Sequence, residues 1–285
     1  MRDDFCAFIL THGRPDRVRT YATLQRAGYT GKVFIVIDDE DKAADEYRKR
    51  YGDKVLQFCK AGMDATLDTG DNFGGRTSTI WPRNSFWDLA RQVGCRYFIQ
   101  LDDDYTDFSI RFNHSGDGCR IKITRIDKVF ESMVEFLINT PTVSIALAQT
   151  GELIGGTDQS GGNCRKLRRK AMNSFVCDTT RPFMFFGRMN EDVNTYVTEG
   201  RRGHLFFTIM QAMLSQVQTQ ANAGGMSTLY LECGTYVKSF YTVMYAPSCA
   251  KIGTLGDFRS PRFRIHHRIN WHNTAPKILR EECKK

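Results

Sequence analysis

The chain has 285 residues, of which 41% are hydrophobic, 12% aromatic and 25% charged. These proportions are those of a globular protein with a sizeable core, and they exclude a mainly disordered chain. Its 40 basic residues exceed its 32 acidic ones and give a formal net charge of +8. This excess permits a polyanionic partner without requiring one.

The spacing of the cysteines and the residues at the N-terminus indicate in which cellular compartment the protein is expected. The nine cysteines are irregularly spaced and form no Cys-x-x-Cys pair. This argues against a zinc finger or a disulfide framework and favours reduced thiols. The first residues are charged, which argues against a signal peptide. No run of about 18 apolar residues is present, so no membrane span is predicted. We therefore expect a soluble, cytoplasmic protein that has no membrane partner and needs no obligate protein partner.

The first hundred residues alternate strand and helix patterns. Short apolar runs predict strands at 5–10, 32–37, 55–58 and 96–101. Helical patterns lie between them, one beginning at Pro15 and stopped by Gly28, one reaching Tyr51, and one over 84–93. This alternation predicts crossover connections and an α/β fold, with a Rossmann-like, mostly parallel central sheet flanked by helices.

The second half is less regular. We predict a helix from a cap at Thr124 to about Leu137, and strands at 143–148, 183–186 and 204–209. Residues 150–181 are rich in glycine and basic residues and predict a long, irregular, functional loop. No internal repeat or linker is evident, so residues 1–285 are expected to form a single domain.

Polar clusters follow three predicted strands, at 11–14, 38–41 and 102–104. Ligands of parallel α/β sheets bind beyond the carboxyl ends of the strands. Three adjacent carboxylates repel one another unless a cation neutralises them, and Mg²⁺ is often held by one or two carboxylates plus substrate phosphates. Because side chains alternate along an extended chain, Asp102 and Asp104 are expected to face one ligand while Asp103 points away. The alternative is an exposed acidic turn.

Other phosphate-binding or nucleophile motifs are missing from the sequence. It contains no Walker A pattern, no G-x-G-x-x-G after a strand and no G-x-S-x-G elbow. The sequence neither favours nor excludes a catalytic pair made of a cysteine nucleophile and a histidine. Glu191 and Asp192 open a predicted helix, where they serve either the helix dipole or general-base catalysis.

Histidines and a basic cluster add further candidates. His266 and His267 are either metal ligands or part of a basic surface, and His12 with Arg14 is suited to contact a nucleotide diphosphate. A dense run of cations within the long loop favours nucleic-acid contact as much as a solvated face; it consists of Arg165, Lys166, Arg168, Arg169 and Lys170. Nearby phenylalanines at 175, 183, 185 and 186 serve either base stacking or, more simply, the core.

Four motifs, in this order, resemble the TET-associated glycosyltransferases. They are ILTHGRPDR at 9–17, IVIDDED at 35–41, YFIQLDDDY at 97–105 and FFGRMNED at 185–192. The likeness covers nearly the whole chain, although the basic loop does not match residue by residue. It implies a GT-A-like fold with an Asp-x-Asp metal motif and a phage-encoded enzyme that attaches sugars to 5-hydroxymethylcytosine in DNA, in the host cytoplasm.

The resemblance also implies roles for individual residues. A divalent ion, Mn²⁺ or Mg²⁺, would be held by Asp102, Asp104 and one of the two adjacent histidines, and Asp192 would be the base with Glu191 beside it. The UDP-sugar site would occupy the half spanning 1–105 and the acceptor site the half spanning 106–285. The donor-site residues would be Thr11, His12, Arg14, Asp39, Arg83, Asp102 and Asp103.

Three hypotheses follow. The leading one is a metal-dependent transfer of sugar from a UDP-sugar to hydroxymethylated duplex DNA, with inversion at the anomeric carbon. The second keeps the fold but has a glycan, lipid or protein acceptor. The third is a metal-dependent DNA-binding protein or nuclease, which leaves the pattern at the first two strands unexplained. The sequence specifies neither the sugar nor the DNA sequence context.

Overall fold

A computed structural model describes residues 1–113, 115, 117–149, 174–217, 226–234, 236–255 and 264–281. Its strands are β1 Phe5–Leu10, β2 Lys32–Asp38, β3 Val55–Phe58, β4 Tyr97–Asp102, β5 Tyr105–Phe112, β6 Gly118–Lys122, β7 Thr142–Gln149, β8 Phe175–Asp178, β9 Leu205–Gln216, β10 Ala250–Leu255 and β11 Arg264–Ile269. Its α-helices are α1 Arg19–Arg26, α2 Ala44–Tyr51, α3 Ile80–Gln92, α4 Ile126–Asn139, α5 Glu191–Arg201, α6 Met226–Cys233, α7 Val237–Tyr245 and α8 Trp271–Thr274.

The main sheet has nine strands in the order β3-β2-β1-β4-β8-β7-β9-β5-β6. The first four are parallel, β8 is antiparallel to β4 and β7, and β9 is parallel to β7 but antiparallel to β5. Since β6 is antiparallel to β5, only β5 and β8 run against the other seven strands described here. The predicted α/β class with a mostly parallel sheet is confirmed.

Both faces of the sheet are covered because the strand side chains alternate. On β1, Phe8 packs into a cluster with Phe86 and Trp87 of α3, whereas Ile9 packs into a second cluster with Phe130 and Val134 of α4. All six side chains are buried. The continuous apolar character of β1 therefore reflects burial on two faces, as expected for a parallel strand.

Two sequence predictions around residue 180 were wrong. Part of the segment expected to be a loop forms β8, whose four residues are buried between β4 and β7. Residues 150–173 of that predicted loop lie outside the described residues. Residues 183–186 form no strand, because the side-chain amide of Asn84 replaces a strand partner. Asn84 donates to the carbonyl of Phe185 at 2.8 Å and accepts from its N–H at 2.9 Å.

A small hairpin lies beside the main sheet. Strands β10 and β11 pair antiparallel, with Ile252 opposite His267. Helix α7 packs against both strands and against α5, which places the hairpin next to the candidate site. In the described part of the chain, no helix combines the length and apolar character needed to cross a bilayer.

Candidate active site

The three adjacent aspartates at the end of β4 have different surroundings. Asp102 accepts a hydrogen bond from Arg83 at 2.8 Å. Asp103 is buried and accepts two bonds from Arg14, at 2.7 and 2.9 Å, and one from Thr11 at 2.7 Å. Oδ1 of Asp104 is buried and accepts no hydrogen bond from any described residue. Thr11 and Arg14, predicted to line a nucleotide site, therefore hold Asp103 in place.

The electrostatics of this cluster indicate a shortage of positive charge. Burial raises the pKa of Asp102 to about 7, despite the opposing effect of Arg83, and Asp104 raises it further. Burial, followed by repulsion from Asp103, raises the pKa of Asp104 to about 6. A divalent cation would stabilise the ionised form of both carboxylates.

The donor set fits a metal ion that shares its ligands with a substrate. The carboxylate oxygens of Asp102 and Asp104 are hard ligands, and Oδ1 of Asp104, which accepts no hydrogen bond from a described residue, has a lone pair available for a metal ion. Among the residues that the structure describes, no three His, Cys, Asp or Glu side chains form a group able to hold a metal ion. A cation here would therefore take its other ligands from water or phosphate oxygens, as Mg²⁺ commonly does.

Arg83 links the aspartate cluster to the start of α5. Its side chain is fully buried, donating from Nη2 to Asp102 at 2.8 Å and from Nε to Glu191 at 2.9 Å. Although burial opposes its charge, these two carboxylates raise the pKa of Arg83, which stays protonated. Its Nη1 atom is buried and forms no hydrogen bond with a described residue, so one donor remains for a ligand.

The end of β2 forms a second charged cluster. His12 Nδ1 lies 2.7 Å from Asp38 Oδ2, and Lys60 Nζ lies 3.1 Å from Asp38 Oδ1. The hydrogen bond to Asp38 raises the pKa of His12. Asp39, the predicted nucleotide contact, is exposed and accepts the backbone N–H of Lys60 at 2.9 Å. Sequence reasoning named neither Asp38 nor Lys60 as a site residue, although Asp38 lies within the polar cluster at this strand end.

Glu191 and Asp192 lie at the N-terminus of α5, both buried. Asn190 before them adopts a left-handed conformation, with φ of 62°, and donates to Thr242 on α7 at 2.6 Å. Glu191 is engaged by Arg83, and Asp192 Oδ1 accepts the N–H of Val193 at 2.8 Å. The two acidic residues therefore have separate contacts, one within the ion-pair bridge and one at the first turn of the helix.

The β10–β11 hairpin brings one histidine to this helix start. His267 is buried, and its Nδ1 lies 3.4 Å from Nδ2 of Asn190. The ring of His266 lies against that of His267, with ring centroids 4.2 Å apart and ring planes tilted by 32°. Neither histidine completes a described metal group with Asp102 and Asp104, so their role as ligands stays a prediction.

The residues predicted to contact nucleic acid are not part of this described site. The basic cluster at 165–170 lies outside the described residues. Phe175, Phe183 and Phe185 are buried and pack edge-to-face or tilted against one another. They belong to the core, and the guanidinium of Arg83 lies 5.9 and 5.7 Å from the ring centres of Phe175 and Phe185. The core alternative, rather than base stacking, therefore holds for these rings.

These features define an α/β protein that gathers acidic and basic groups beyond the ends of parallel strands, where such folds bind ligands. A comparison with family models identifies the particular family: the model described as TET-Associated Glycosyltransferase matches residues 5–225. The chain belongs to this family and is a glycosyltransferase. The comparison with curated proteins gave no match.

Several solved structures resemble the fold at low sequence identity. Glucosyl-3-phosphoglycerate synthase from Mycobacterium tuberculosis, in complex with Mn²⁺, UDP and phosphoglyceric acid, has 9% identity, a TM-score of 0.48, and coverage of 93% of this chain and 86% of that one. S. aureus TarS, as a fragment with UDP-GlcNAc, has 8% identity, a TM-score of 0.42, and coverage of 84% and 66%. These likenesses are too distant to support a conclusion about the reaction.

Proposed function

We propose that the protein transfers a sugar from a UDP-sugar to the hydroxymethyl group of 5-hydroxymethylcytosine in DNA, in a metal-dependent reaction. The observation that carries the proposal is the partly buried pair Asp102 and Asp104, whose pKa values are raised to about 7 and about 6. In a glycosyltransferase of this family, such a pair suits a divalent ion that also binds the donor diphosphate.

On the donor side, the proposed ligands of Mn²⁺ or Mg²⁺ are Asp102 and Asp104, with His267 or His266 as a further candidate. The ion would offset the negative charge that develops on the leaving diphosphate. Arg83 adds a fixed positive charge with one free donor, Nη1, within the described site. At the end of β2, the hydrogen bond to Asp38 raises the pKa of His12 and so favours its protonated form.

On the acceptor side, Asp192 is the proposed general base. It takes the proton from the hydroxymethyl oxygen of the acceptor as that oxygen bonds to the anomeric carbon of the sugar. The bond from that carbon to the diphosphate oxygen breaks, and its electron pair leaves with UDP. Attack on the face opposite the leaving group inverts the anomeric carbon. Glu191, paired with Arg83 at 2.9 Å, positions the start of the helix that carries the base.

The DNA acceptor is supported by the family description and by the net charge of +8. A target base within a duplex has to leave the stack before its hydroxymethyl group reaches a buried carboxylate. The cations at Arg165, Lys166, Arg168, Arg169 and Lys170 are proposed to contact the phosphates of this DNA.

The test is direct transfer. Purified protein is incubated with Mn²⁺, a panel of UDP-sugars, and duplex DNA containing either 5-hydroxymethylcytosine or cytosine, and the nucleosides are then examined by mass spectrometry. A gain of one sugar mass on hydroxymethylcytosine alone is the expected result. Release of UDP without any gain on DNA would contradict the proposed acceptor, and absence of both would contradict the proposed reaction.

A further inference from the structure

One phenylalanine is exposed on the side of the molecule that carries the candidate site. Phe73 is 57% exposed, whereas most of the described phenylalanines are buried. It lies in the segment 59–79, which joins the end of β3 to α3. Because β3 is parallel to β2, this segment leaves the sheet at the edge where the strands of the candidate site also end. The exposed ring is therefore on the side where folds of this class bind their ligands.

An ion pair with little exposure holds the backbone of Phe73. The N–H of Phe73 donates to Asp71 Oδ1 at 3.0 Å. Asp71 also pairs with Arg188 Nε at 3.0 Å and accepts a hydrogen bond from the hydroxyl of Tyr241. The side chains of Asp71 and Arg188 are only 9% and 4% exposed. The loop is thus tied to the interior of the protein while its aromatic ring remains in solvent.

The residues that hold this loop also lead to the start of α5, where the proposed base lies. Arg188 precedes Asp192 by four residues. A chain advances at most about 3.6 Å per residue, so the Cα atoms of these two residues are at most about 14 Å apart. On α7, Tyr241 is followed by Thr242, which accepts a hydrogen bond from Asn190 at 2.6 Å. The exposed ring and the proposed base are therefore carried by one connected part of the structure.

The backbone next to the ring is open. Gly74 and Gly75 follow Phe73, and a Cβ atom at either position would meet nothing within 4 Å. Gly74 has a φ of 71°, in the left-handed region that favours glycine. A flat ligand can therefore approach the ring of Phe73 along this side without meeting a side chain.

We propose that Phe73 stacks on a base of the duplex next to the position that the target nucleotide leaves. The inference rests on the proposed function and extends it, because it assigns a contact with the acceptor DNA beyond the reacting hydroxymethyl group. When a nucleotide is extruded from a duplex, its neighbours lose a stacking partner. An aromatic side chain replaces that partner with little dependence on base identity. The sequence suggested this role for the phenylalanines at 175, 183 and 185, which lie in the core instead.

The test combines a change in the protein with a change in the DNA, so that the contact itself is measured. Phe73→Ala removes the ring and Phe73→Tyr keeps it. The control Ile121→Ala removes a side chain of similar exposure, 58%, on the outer strand β6. Each duplex carries one 5-hydroxymethylcytosine; one duplex is intact, and the others have an abasic site directly 5′ or directly 3′ of the target. Transfer is measured at limiting DNA with Mn²⁺ and a UDP-sugar that the wild type uses, and thermal unfolding confirms that each variant is folded.

On the intact duplex, Phe73→Ala is expected to lower kcat/KM for DNA by about 5- to 150-fold, the fold-change that corresponds to one base–aromatic stack. Phe73→Tyr and Ile121→Ala should keep the wild-type value. On one of the two abasic duplexes the loss caused by Phe73→Ala should nearly disappear, because the base that the ring contacts is absent and the two deletions do not add.

Two results would overturn the stacking contact and leave the proposed function standing: no loss on the intact duplex, or an equal loss on every duplex. A smaller mass of Phe73→Ala than of wild type in sedimentation without DNA would also overturn it, because the ring would then contact a second copy of the chain. Wild-type protein that transfers no sugar to any duplex would overturn the proposed function and this contact with it.

Discussion

A single guanidinium joins the two halves of the candidate site. Arg83 binds Asp102 at the end of β4 and Glu191 at the start of α5, residues that are distant in sequence. A buried charge is tolerated when it is paired and hydrogen-bonded. The bridge therefore has a structural role whether or not Nη1 also contacts a diphosphate.

Replacing Arg83 with methionine should strongly destabilise the fold. The change leaves Glu191 buried without its cation, and loss of one partner of a buried pair typically costs about 3–5 kcal/mol. The double change Arg83→Met, Glu191→Gln should recover part of this loss. Urea unfolding monitored by tryptophan fluorescence measures each value.

The matched control is Arg91→Met on the same helix. Arg91 is 52% exposed and pairs with the exposed Asp88 at 2.7 Å, so its loss should cost at most about 1 kcal/mol. If both substitutions lowered the free energy of unfolding by the same amount, the Arg83 bridge would contribute no more to stability than an exposed ion pair.

Asp192→Asn tests the proposed base. An amide cannot accept the acceptor's proton, and general-base catalysis typically contributes about 10²–10⁴-fold. We expect transfer to hydroxymethylated DNA to fall by this factor while UDP affinity, measured by calorimetry, changes little. Transfer retained within about tenfold would remove Asp192 from that role.

At the scale of elements, strand β8, which lies between β4 and β7, ends in a carboxylate. Asp178 is buried and accepts hydrogen bonds from Arg96 at 3.1 Å and from both the N–H and hydroxyl of Thr180, at 2.9 and 2.8 Å. Burial acts to raise the pKa of Asp178, but these donors outweigh it and lower the pKa. The ionised form is therefore favoured by folding.

This shift predicts how stability depends on pH. Because the folded-state pKa of Asp178 lies below its unfolded value, about 3.9, its contribution is present above that value and is lost as the pH falls through the folded pKa. Asp178→Asn should therefore be less stable than wild type at pH 7, and the difference should shrink below about pH 4. Urea unfolding at pH 7, 5 and 3 measures the difference, with the exposed Asp88→Asn as the control. A difference that is constant with pH would contradict this account.

At the scale of the whole molecule, ligand binding should increase the free energy of unfolding. If Asp102 and Asp104 share a divalent ion with a diphosphate, Mn²⁺ and UDP together should bind the folded chain more tightly than either alone. A ligand at about 100 times its Kd adds about 2.7 kcal/mol to the free energy of unfolding. We expect a rise in the thermal midpoint with Mn²⁺ plus UDP that EDTA reverses.

Asp104→Asn is the matched variant for this measurement. It removes one proposed ligand while keeping the shape of the side chain, so the combined effect of Mn²⁺ and UDP should be largely lost. Stabilisation by UDP that is the same in EDTA and in Mn²⁺ would contradict a shared metal site. Such a result would leave the α/β fold and the family membership unaffected.

Much of the fold was predictable because its signals are local. The apolar runs of β1, β2 and β4 identify strands buried on two faces, and the glycine at 28 ends α1 as expected, with a φ of 76° and its backbone against Thr124. By contrast, β8 has four residues and the hairpin strands have little apolar pattern. These elements exist because distant strands supply their partners, which no local pattern records.

In the candidate site, too, some features follow from the local sequence and others from the tertiary structure. The sequence by itself determined that carboxylates and cations follow the strands, since a strand's end and its polar successor are neighbours in the chain. Only the tertiary structure decided their partners: Asp103 is held by Arg14, Asp102 and Glu191 share Arg83, and His267 reaches the start of α5. These pairs are formed by sheet order and helix packing, which depend on the burial of the whole chain rather than on any one segment.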